Sequence, residues 1–326
     1  MVLLVACAEN ANGDHDGGAD TDADTDLADT DAEPASGWRV AAPLPAPRQE
    51  CGVVALGDEI VVVGGYDDAV TIVDLVEAYR PSTDTWRTLA PLPEPIHHPN
   101  VVVLDAKLHV AGALGAGFVQ QNVHWIYDPA TDDWTEGTPL PAARAVGAAG
   151  AAVLDGVIHL VGGLRMSQSV ALHSTYDPST DAWDALPDAP HARDHLGMAA
   201  VGSVLVATAG RDGGLSSFVA ATDLYDPAIG WLTGAEIPTP RGGAAAAVLD
   251  GALHVFGGEG NAGDPSGVFA THDSYDPETD SWTTHDPMPS PRHGTGAATL
   301  DDTIWIPGGA DVQAFGAVDT NEGWSP

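Results

Sequence analysis

Arginine recurs at equivalent positions along the sequence, shortly after Pro-rich turns such as those at residues 43–45 and 287–289. The arginines at these positions are Arg48, Arg144, Arg193, Arg241 and Arg292. They make up five of the 11 lysine and arginine residues of the chain. Guanidinium groups pair with carboxylates through two parallel hydrogen bonds, so clustered arginines are typical of an anion-binding site. The alternative is structural: each guanidinium pairs with backbone carbonyls or acids of the chain itself.

Histidines lie beside the same place. His97 and His293 follow it directly, and His98 and His195 lie one residue further on. Imidazoles bind metals and transfer protons near neutral pH, so a three-histidine metal site or an acid–base group is one interpretation. Loop histidines are more often plain polar groups, and we expect no metal and no cofactor. The weak candidates for a proton-transfer group are Glu50, His195 and His293.

The chain is strongly acidic, with 47 Asp and Glu residues against 11 Lys and Arg residues. Such a surface repels nucleic acid phosphates and anionic lipids, so we expect neither as a partner. The sequence contains no apolar run long enough to span a bilayer. Its two cysteines, Cys7 and Cys51, cannot define a disulfide framework, and Cys51 is expected to be a buried free thiol.

The N-terminus suggests a lipid anchor. Leu4-Val5-Ala6-Cys7 resembles a bacterial lipobox, in which the cysteine is acylated and becomes the new N-terminus. The resemblance implies lipidation of Cys7, with residues 1–7 as the remnant of a signal, and a place in the bacterial cell envelope, at the outer membrane or cell surface. The preceding apolar stretch is shorter than the roughly 7–15 residues of a normal signal, so we expect the natural start to lie upstream. The alternative is an ordinary apolar N-terminus.

Residues 8–37 are rich in Asp, Thr, Ala and Gly and contain no Lys or Arg. Such a segment cannot bury a core, and its charges repel one another, so we expect a disordered, extended spacer. Aspartates at alternate positions between 20 and 26 resemble the start of an EF-type calcium loop. The glycine and glutamate that such a loop needs are missing, which favours the solvated spacer.

The rest of the chain repeats. Tryptophans at 38, 86, 134, 183, 231, 282 and 324 divide it into six intervals. Each interval carries, in order, a Pro-rich turn, an apolar run, a short turn, and a second apolar run that ends in two small residues. The motif Y-D-P-x-T-D-x-W then closes the interval, and it is intact at residues 127–134, 176–183 and 275–282.

Periods of about 50 residues with paired glycines and then Tyr and Trp resemble the kelch repeat. The resemblance covers residues 38–324. It implies an all-β fold for residues 38–326, a six-bladed β-propeller with four antiparallel strands per blade, preceded by the disordered acidic segment. Because too few residues follow Trp324 to form an outer strand, we expect residues 38–42 to supply one to the last blade. Three mid-strand histidines are expected to pack between blades: His109, His159 and His254.

In such a propeller the arginine-bearing turns and the loops after the paired small residues open on one face. The resemblance therefore implies a ligand site there, built from Arg48, Arg144, Arg193, Arg241, Arg292, His98, Arg165 and Arg211. Kelch proteins that bind acidic peptides, and a bacterial kelch mutarotase that acts on sialic acid, similarly place arginines near this face. We expect an envelope-anchored, monomeric binding module for a protein or glycan ligand, acidic ligands included. The alternative is a sugar-acid mutarotase or another carbohydrate-active enzyme.

Overall fold

The computed structural model describes residues 37–326. The proposed lipid anchor at Cys7, the signal remnant 1–7 and the acidic spacer, apart from its last residue, lie outside the described residues. Within residues 37–326 the helical structure is limited to two single-turn 3₁₀ segments, Ala116–Phe118 and Ala142–Arg144. No helix in this part of the chain is therefore long and apolar enough to cross a membrane.

Six four-stranded antiparallel sheets, the blades of a propeller, contain nearly all of the regular structure. The first strand of the chain, β1 (Trp38–Val40), belongs to the last blade. Blade one contains β2 (Gly52–Leu56), β3 (Glu59–Val63), β4 (Val76–Arg80) and β5 (Thr85–Thr88). Blade two contains β6 (Val101–Leu104), β7 (Lys107–Gly115), β8 (Val119–Asp128) and β9 (Asp133–Glu136).

Blade three contains β10 (Gly150–Leu154), β11 (Val157–Val161), β14 (His173–Asp177) and β15 (Ala182–Leu186), with a small hairpin of β12 (Leu164–Arg165) and β13 (Gln168–Ser169) in its loop. Blade four contains β16 (Gly197–Val201), β17 (Val204–Thr208), β18 (Thr222–Asp226) and β19 (Gly230–Gly234). Blade five contains β20 (Ala245–Leu249), β21 (Ala252–Phe256), β22 (His272–Asp276) and β23 (Ser281–His285). Blade six contains β24 (Ala298–Leu300), β25 (Thr303–Pro307), β26 (Asn321–Trp324) and β1. The prediction of an all-β, six-bladed propeller is confirmed.

The tyrosine, aspartate and tryptophan of the motif fasten the outer strands of blades one, two, three and five to the preceding blade. In blade two, Tyr127 Oη donates to Asp132 Oδ1 at 2.6 Å, and the same carboxylate accepts the Ala90 amide at 2.9 Å. Trp134 Nε1 donates to the Ala90 carbonyl at 3.0 Å. The same three residues recur as Tyr79, Asp84 and Trp86, as Tyr176, Asp181 and Trp183, and as Tyr275, Asp280 and Trp282. The motif therefore sets the docking of one blade on the next.

The two ends of the described chain meet in blade six. Strand β1 pairs antiparallel with β26, so that Trp38 faces Trp324 and Val40 faces Glu322. The Trp38 ring is buried and meets Phe256 of blade five edge-on, with ring centroids 5.8 Å apart. This pairing, which we call the clasp, covers the edge that β26 would otherwise expose.

The innermost strand of each blade carries small side chains toward the axis. Ala151, Ala199, Ala246 and Ala297 line the channel, together with valines of the other blades and Thr299. Apolar clusters between neighbouring blades form the core, for example Val54 and Leu56 of blade one against blade two. The stretch of channel that these strands line is therefore largely apolar.

Candidate functional site

Six equivalent residues form a closed ring of backbone hydrogen bonds at the polar end of the channel, which we call the mouth. The amide of each residue donates to the carbonyl of its counterpart in the preceding blade, over 2.5 to 3.1 Å. Glu50, which bonds to the carbonyl of Gly294, completes the circle. The six residues are Glu50, His98, Ala148, His195, Gly243 and Gly294.

All six ring residues have a positive φ, between 49° and 67°. This conformation is uncommon for residues other than glycine. The ring places the Glu50, His98 and His195 side chains together, and we call these three the mouth cluster. At Gly294 a Cβ would lie 2.8 Å from Glu50 Oε1, so glycine there leaves space for the carboxylate.

The mouth cluster is tightly packed. His98 Nε2 lies 3.0 Å from Glu50 Oε2 and 2.8 Å from His195 Nε2, and His195 Nε2 lies 3.9 Å from Glu50 Oε2. His293 Nδ1 approaches Glu50 Oε1 to 3.9 Å from the sixth blade. The side chains of these four residues are at most 10% exposed.

A second layer of charged groups supports the cluster. His195 Nδ1 donates to Asp194 Oδ1 at 2.5 Å, and Arg211 Nη2 contacts His195 Nε2 at 2.6 Å. Arg211 also pairs with Asp194 and with Glu259 of blade five. Both acids are buried, so the cavity floor is charged yet almost closed to solvent.

The electrostatics keep the Glu50 and Asp194 carboxyls ionised. Burial alone would raise the pKa of the Glu50 carboxyl, but His98, His195 and His293 hold that pKa well below its ordinary value. Burial opposes ionisation of Asp194 too, yet its hydrogen bond to His195 brings the pKa down to about 2. Burial and the neighbouring Arg211 lower the pKa of His195, which favours its neutral form.

A cavity of about 350 Å³ opens above the floor. Its wall includes Phe118, Leu215 and Phe315, together with the Ser169 hydroxyl. The wall is built by the loops between the second and third strands, which contact one another around the mouth. One example is the Met166 amide, which donates to the Gln120 side chain at 3.2 Å. The floor is acidic and histidine-rich, and the wall is largely apolar.

The expectation that the repeated arginines surround the mouth as an anion site is wrong for four of them. Arg48, Arg193, Arg241 and Arg292 are 0 to 2% exposed. Each points into its own blade and pairs with an acid of the third strand: Arg48 with Glu77, Arg193 with Asp223, Arg241 with Asp273 and Arg292 with Glu322. Backbone carbonyls accept further bonds from them, such as Arg193 Nη1 to Ala221 at 2.8 Å. These guanidiniums are buried and paired inside the protein, in agreement with the structural alternative.

The assignment of Arg144 to the same repeat position is also wrong. Gly147 pairs with Leu164 as Gln49 pairs with Tyr66, so the blade-three counterpart of Arg48 is Val146. Arg144 lies two residues earlier, at the end of a 3₁₀ turn, and donates to the Ser174 hydroxyl and the His173 carbonyl, both at 2.7 Å.

The sequence holds a signal that would have revealed the arginine pairs. Where the repeat has the arginine, an acid stands two residues before the motif aromatic, as in Asp223 before Tyr225. Blade two has Ile96 in place of the arginine and Trp125 in place of the acid. Blade three has Val146 in place of the arginine and Ser174 in place of the acid. Arginine and acid are therefore gained and lost together between repeats.

Of the other predicted site residues, the structure brings Glu50, His98, His195 and Arg211 into one constellation, with His293 at its edge. Arg211 is committed to Asp194 and Glu259 rather than free for an anion. Arg165 lies on the blade-three hairpin, half-buried, with Nη1 3.3 Å from Met166 Sδ. It takes part in none of the ion pairs among the described residues.

The comparisons with known proteins agree with this architecture. A profile of the Kelch motif family matches residues 47–93, which span the first blade and the turn after it. The chain is a kelch-repeat β-propeller. It is similar to the Kelch-like protein terF of Aspergillus terreus, with 34% identity over 178 residues, 52% of this chain and 39% of that protein. It is also similar to Kelch-like ECH-associated protein 1B of Danio rerio, with 34% identity over 89 residues, 27% of this chain and 15% of that protein.

These alignments cover less than two fifths of the length of either curated relative. The kelch propeller also resembles the solved structure of YjhT, with a TM-score of 0.73 and 15% identity over 87% of this chain and 96% of that one. At that identity the likeness supports the fold alone.

Histidine pairs are a feature of this kelch propeller that the sequence did not reveal in full. His109, His159 and His254 are buried and pack between blades, as expected. Each also bonds to a histidine of the adjacent third strand, at 2.9 to 3.0 Å. The partners are His124, His173 and His272. The signal was available, because in each blade the partner lies three residues before the motif tyrosine.

Proposed function

We propose that this kelch propeller is a binding module that takes a protein partner at the mouth. Kelch propellers are generally protein-interaction modules, which supports this class of function. The observation that carries the proposal is an apolar rim around the mouth. The rim consists of Val70, Phe118, Val119, Met166, Leu215, Val312 and Phe315.

The exposed hydrophobic side chains are concentrated at the rim rather than scattered over the surface. Residues 37–326 contain ten exposed large hydrophobic side chains. Six of the seven rim residues lie in loops between second and third strands, and Val119 is the first residue of the third strand of blade two. Their exposed fractions run from 37% to 68%. Single exposed hydrophobic residues are normal on a protein surface, whereas grouped ones bordered by polar groups mark interaction sites.

The charges around the rim indicate a basic rather than an acidic partner. The loops between second and third strands carry Asp67, Asp68, Asp212, Asp264 and Asp311. The arginines that favoured an acidic ligand are neutralised inside the blades. We therefore propose a partner segment that places apolar side chains on the rim and a cationic side chain beside the aspartates of these loops.

The test is selection from a displayed peptide library, followed by affinity measurement with purified protein. Selected peptides are expected to combine aromatic or aliphatic residues with Lys or Arg. The double variant Phe118→Ser/Phe315→Ser should weaken binding at least roughly tenfold, a loss of about 1.4 kcal/mol. The matched control is Val40→Ser/Ile229→Ser, which changes two exposed hydrophobic residues outside the mouth loops.

Two outcomes would count against the proposal. One is selection of acidic peptides. The other is a set of ligands whose affinity depends on Val40 and Ile229 but not on the rim.

A second candidate, the sugar-acid mutarotase, has one observation in its favour. The Asp194–His195 pair stands on the floor of a cavity large enough for a monosaccharide, and the neutral His195 would act as a base once Arg211 releases its Nε2 atom. Anomer exchange of sialic acid, followed by NMR, should be accelerated by the wild type and not by His195→Gln. Equal rates with and without protein would eliminate this candidate.

Attachment to a bacterial envelope through Cys7 also remains a proposal, supported by the lipobox resemblance alone. Radiolabelled palmitate fed to expressing bacteria should label the wild type and not Cys7→Ser. Equal labelling of both proteins would refute it.

A further inference from the structure

Hydrogen bonds outside the mouth cluster fix the protons of its histidines. His97 Nε2 lies 2.9 Å from the Gly115 carbonyl, which can only accept, so in neutral His97 the Nδ1 atom carries the lone pair. His98 Nδ1 contacts that atom and must therefore donate to it. His195 Nδ1 donates to the Asp194 carboxylate. In their neutral forms, both His98 and His195 thus carry their protons on Nδ1, facing away from the cluster centre.

Three acceptor atoms consequently face one another at the cluster centre. They are Glu50 Oε2, His98 Nε2 and His195 Nε2, and they are separated by 2.8, 3.0 and 3.9 Å. Lone pairs do not approach to such distances unless a cation lies among them. The arrangement of outer partners is also the one found around metal ligands, whose second ring nitrogen donates to a carboxylate or another acceptor.

The buried charges of the floor are unbalanced by two. Glu50, Asp194 and Glu259 are three buried carboxylates, and Arg211 is the one guanidinium that meets this group among the described residues. Two polar atoms are also without a partner there: Glu259 Oε2 and His293 Nδ1, each buried, lie 3.9 Å apart. Uncompensated buried charge is costly, and a dication would neutralise the floor.

We propose that Glu50, His98 and His195 bind a divalent transition metal ion of the zinc type. Two imidazoles and one carboxylate are a ligand set that zinc uses when a further position stays open. Ligands about 2.0 Å from a tetrahedral zinc ion are roughly 3.3 Å apart, and the three observed separations bracket that value. The open position faces the cavity, so the ion would present a water molecule or a partner's side chain at the base of the mouth.

Binding the ion requires one local rearrangement. Arg211 Nη2 now contacts His195 Nε2 and would have to release it. Its other nitrogens are held by Asp194 and Glu259, and the free Glu259 Oε2 offers an acceptor within the same group. His293, with its unpartnered Nδ1, lies near enough to serve as an additional ligand after a shift.

A second histidine group serves as the internal control. His254, His272 and His285 also lie close together. His272 and His285 are stacked, with ring centroids 4.4 Å apart, and His285 Nε2 already bonds to the Ser274 hydroxyl at 2.7 Å. This group is the same buried histidine pair as in the other blades, with the His285 ring added to it. We assign no metal to it.

The experiment uses the full chain without a polyhistidine tag, stripped with a chelator and titrated with Zn²⁺ by calorimetry. One equivalent is expected to bind to the wild type. Glu50→Gln, which keeps the shape but removes the charged ligand, should abolish stoichiometric binding. Asp194→Asn should weaken binding by roughly 10–100-fold through His195. His285→Gln should leave affinity and stoichiometry unchanged.

Titration with Co²⁺ gives a measurement on the wild type that does not depend on any variant's folding. The visible bands of a four- or five-coordinate complex should appear, and one equivalent of Zn²⁺ should remove them. Three results would overturn the proposal. The first is the absence of stoichiometric metal, which would mean that a proton alone joins the cluster. The second is metal binding that survives Glu50→Gln, and the third is metal binding that is lost in His285→Gln. Partner binding at the rim is measured separately, so the two proposals can fail independently.

Discussion

The outer edge and the mouth of the propeller use repetition in opposite ways. At the outer edge, the same tyrosine, aspartate and tryptophan make the same three hydrogen bonds in blades one, two, three and five. At the mouth, six equivalent residues make the same backbone bond, yet their side chains range from glycine to glutamate and histidine. The backbone is repeated in both regions, but the side-chain chemistry is repeated only at the edge.

This difference separates structural residues from candidate functional ones. A side chain that every blade needs for docking recurs in nearly every repeat, and the buried arginines behave in this way. A side chain that serves one site appears in one or two repeats and breaks the pattern. Glu50, His98 and His195 are departures of that kind. Recurrence therefore argues for structure, and departure from recurrence argues for a site.

Among the structural features, removal of the clasp is expected to cause the largest loss of stability. Deleting residues 38–42 removes the outermost strand of blade six and the buried Trp38 ring. Loss of a buried tryptophan alone costs about 3–5 kcal/mol, so the deletion should cost more and lower the melting temperature sharply. Val40→Ala, in the same strand but exposed, should change stability by less than about 0.5 kcal/mol. A deletion variant that melts like the wild type would show that the clasp does not close the ring.

The arginine pairs come next. Arg241→Met would leave Asp273 charged, buried and without its partner, which costs about 3–5 kcal/mol. Arg144→Met removes bonds to a hydroxyl and a carbonyl and a longer ion pair with the exposed Asp188, and should cost about 1–2 kcal/mol. Denaturant unfolding of both variants measures the difference. If the two losses were equal, the buried carboxylate would not be the reason that arginine recurs.

The histidine pairs predict a loss of stability in mild acid. Burial lowers the pKa of His159 to about 4 and that of His173 to about 3, below the roughly 6.5 of an unfolded chain. The folded state therefore binds fewer protons. The stabilisation is fully present above about pH 6.5 and is lost as the pH falls from there toward about 4.

Blade four supplies the variant that tests this, because Val206 and Thr222 stand where blade three has His159 and His173. His159→Val/His173→Thr should narrow the gap in melting temperature between pH 8 and pH 5. If this difference in melting temperature were unchanged, groups other than this histidine pair would cause the acid sensitivity.

The rim gives the smallest expected effect on stability. Phe118→Ser/Phe315→Ser changes two side chains that are 37% and 44% exposed, so the free energy of unfolding should fall by less than about 1 kcal/mol. Thermal unfolding at neutral pH is the measurement. A large loss of stability would show that the two phenylalanines stabilise the fold, and it would weaken the assignment of the rim as a binding surface.

The fold could be predicted from the sequence because its determinants are local and recur. The tyrosine, aspartate and tryptophan of the motif lie within eight residues of one another, and a single strand pattern is repeated in each interval. The number of blades and the place of residues 38–40 followed from counting those repeats.

The site could not be predicted in the same way, because its geometry depends on contacts between blades. His98 and His195 meet although 97 residues separate them, and they do so only because the ring holds both at positive φ. The acids that neutralise the arginines lie 29 to 32 residues downstream, on another strand. Counting arginines could not show that those acids are their partners.

The clasp has a consequence for how the protein is made. Trp38 leaves the ribosome among the first described residues, and its partner Trp324 among the last. During synthesis the strand must remain unpaired while five blades form, and the final blade can close only after Trp324 has been made. Contacts of such sequence separation slow folding. A stalled or prematurely released chain therefore presents an open sheet edge, and for this protein early termination is a direct route to edge-to-edge aggregation.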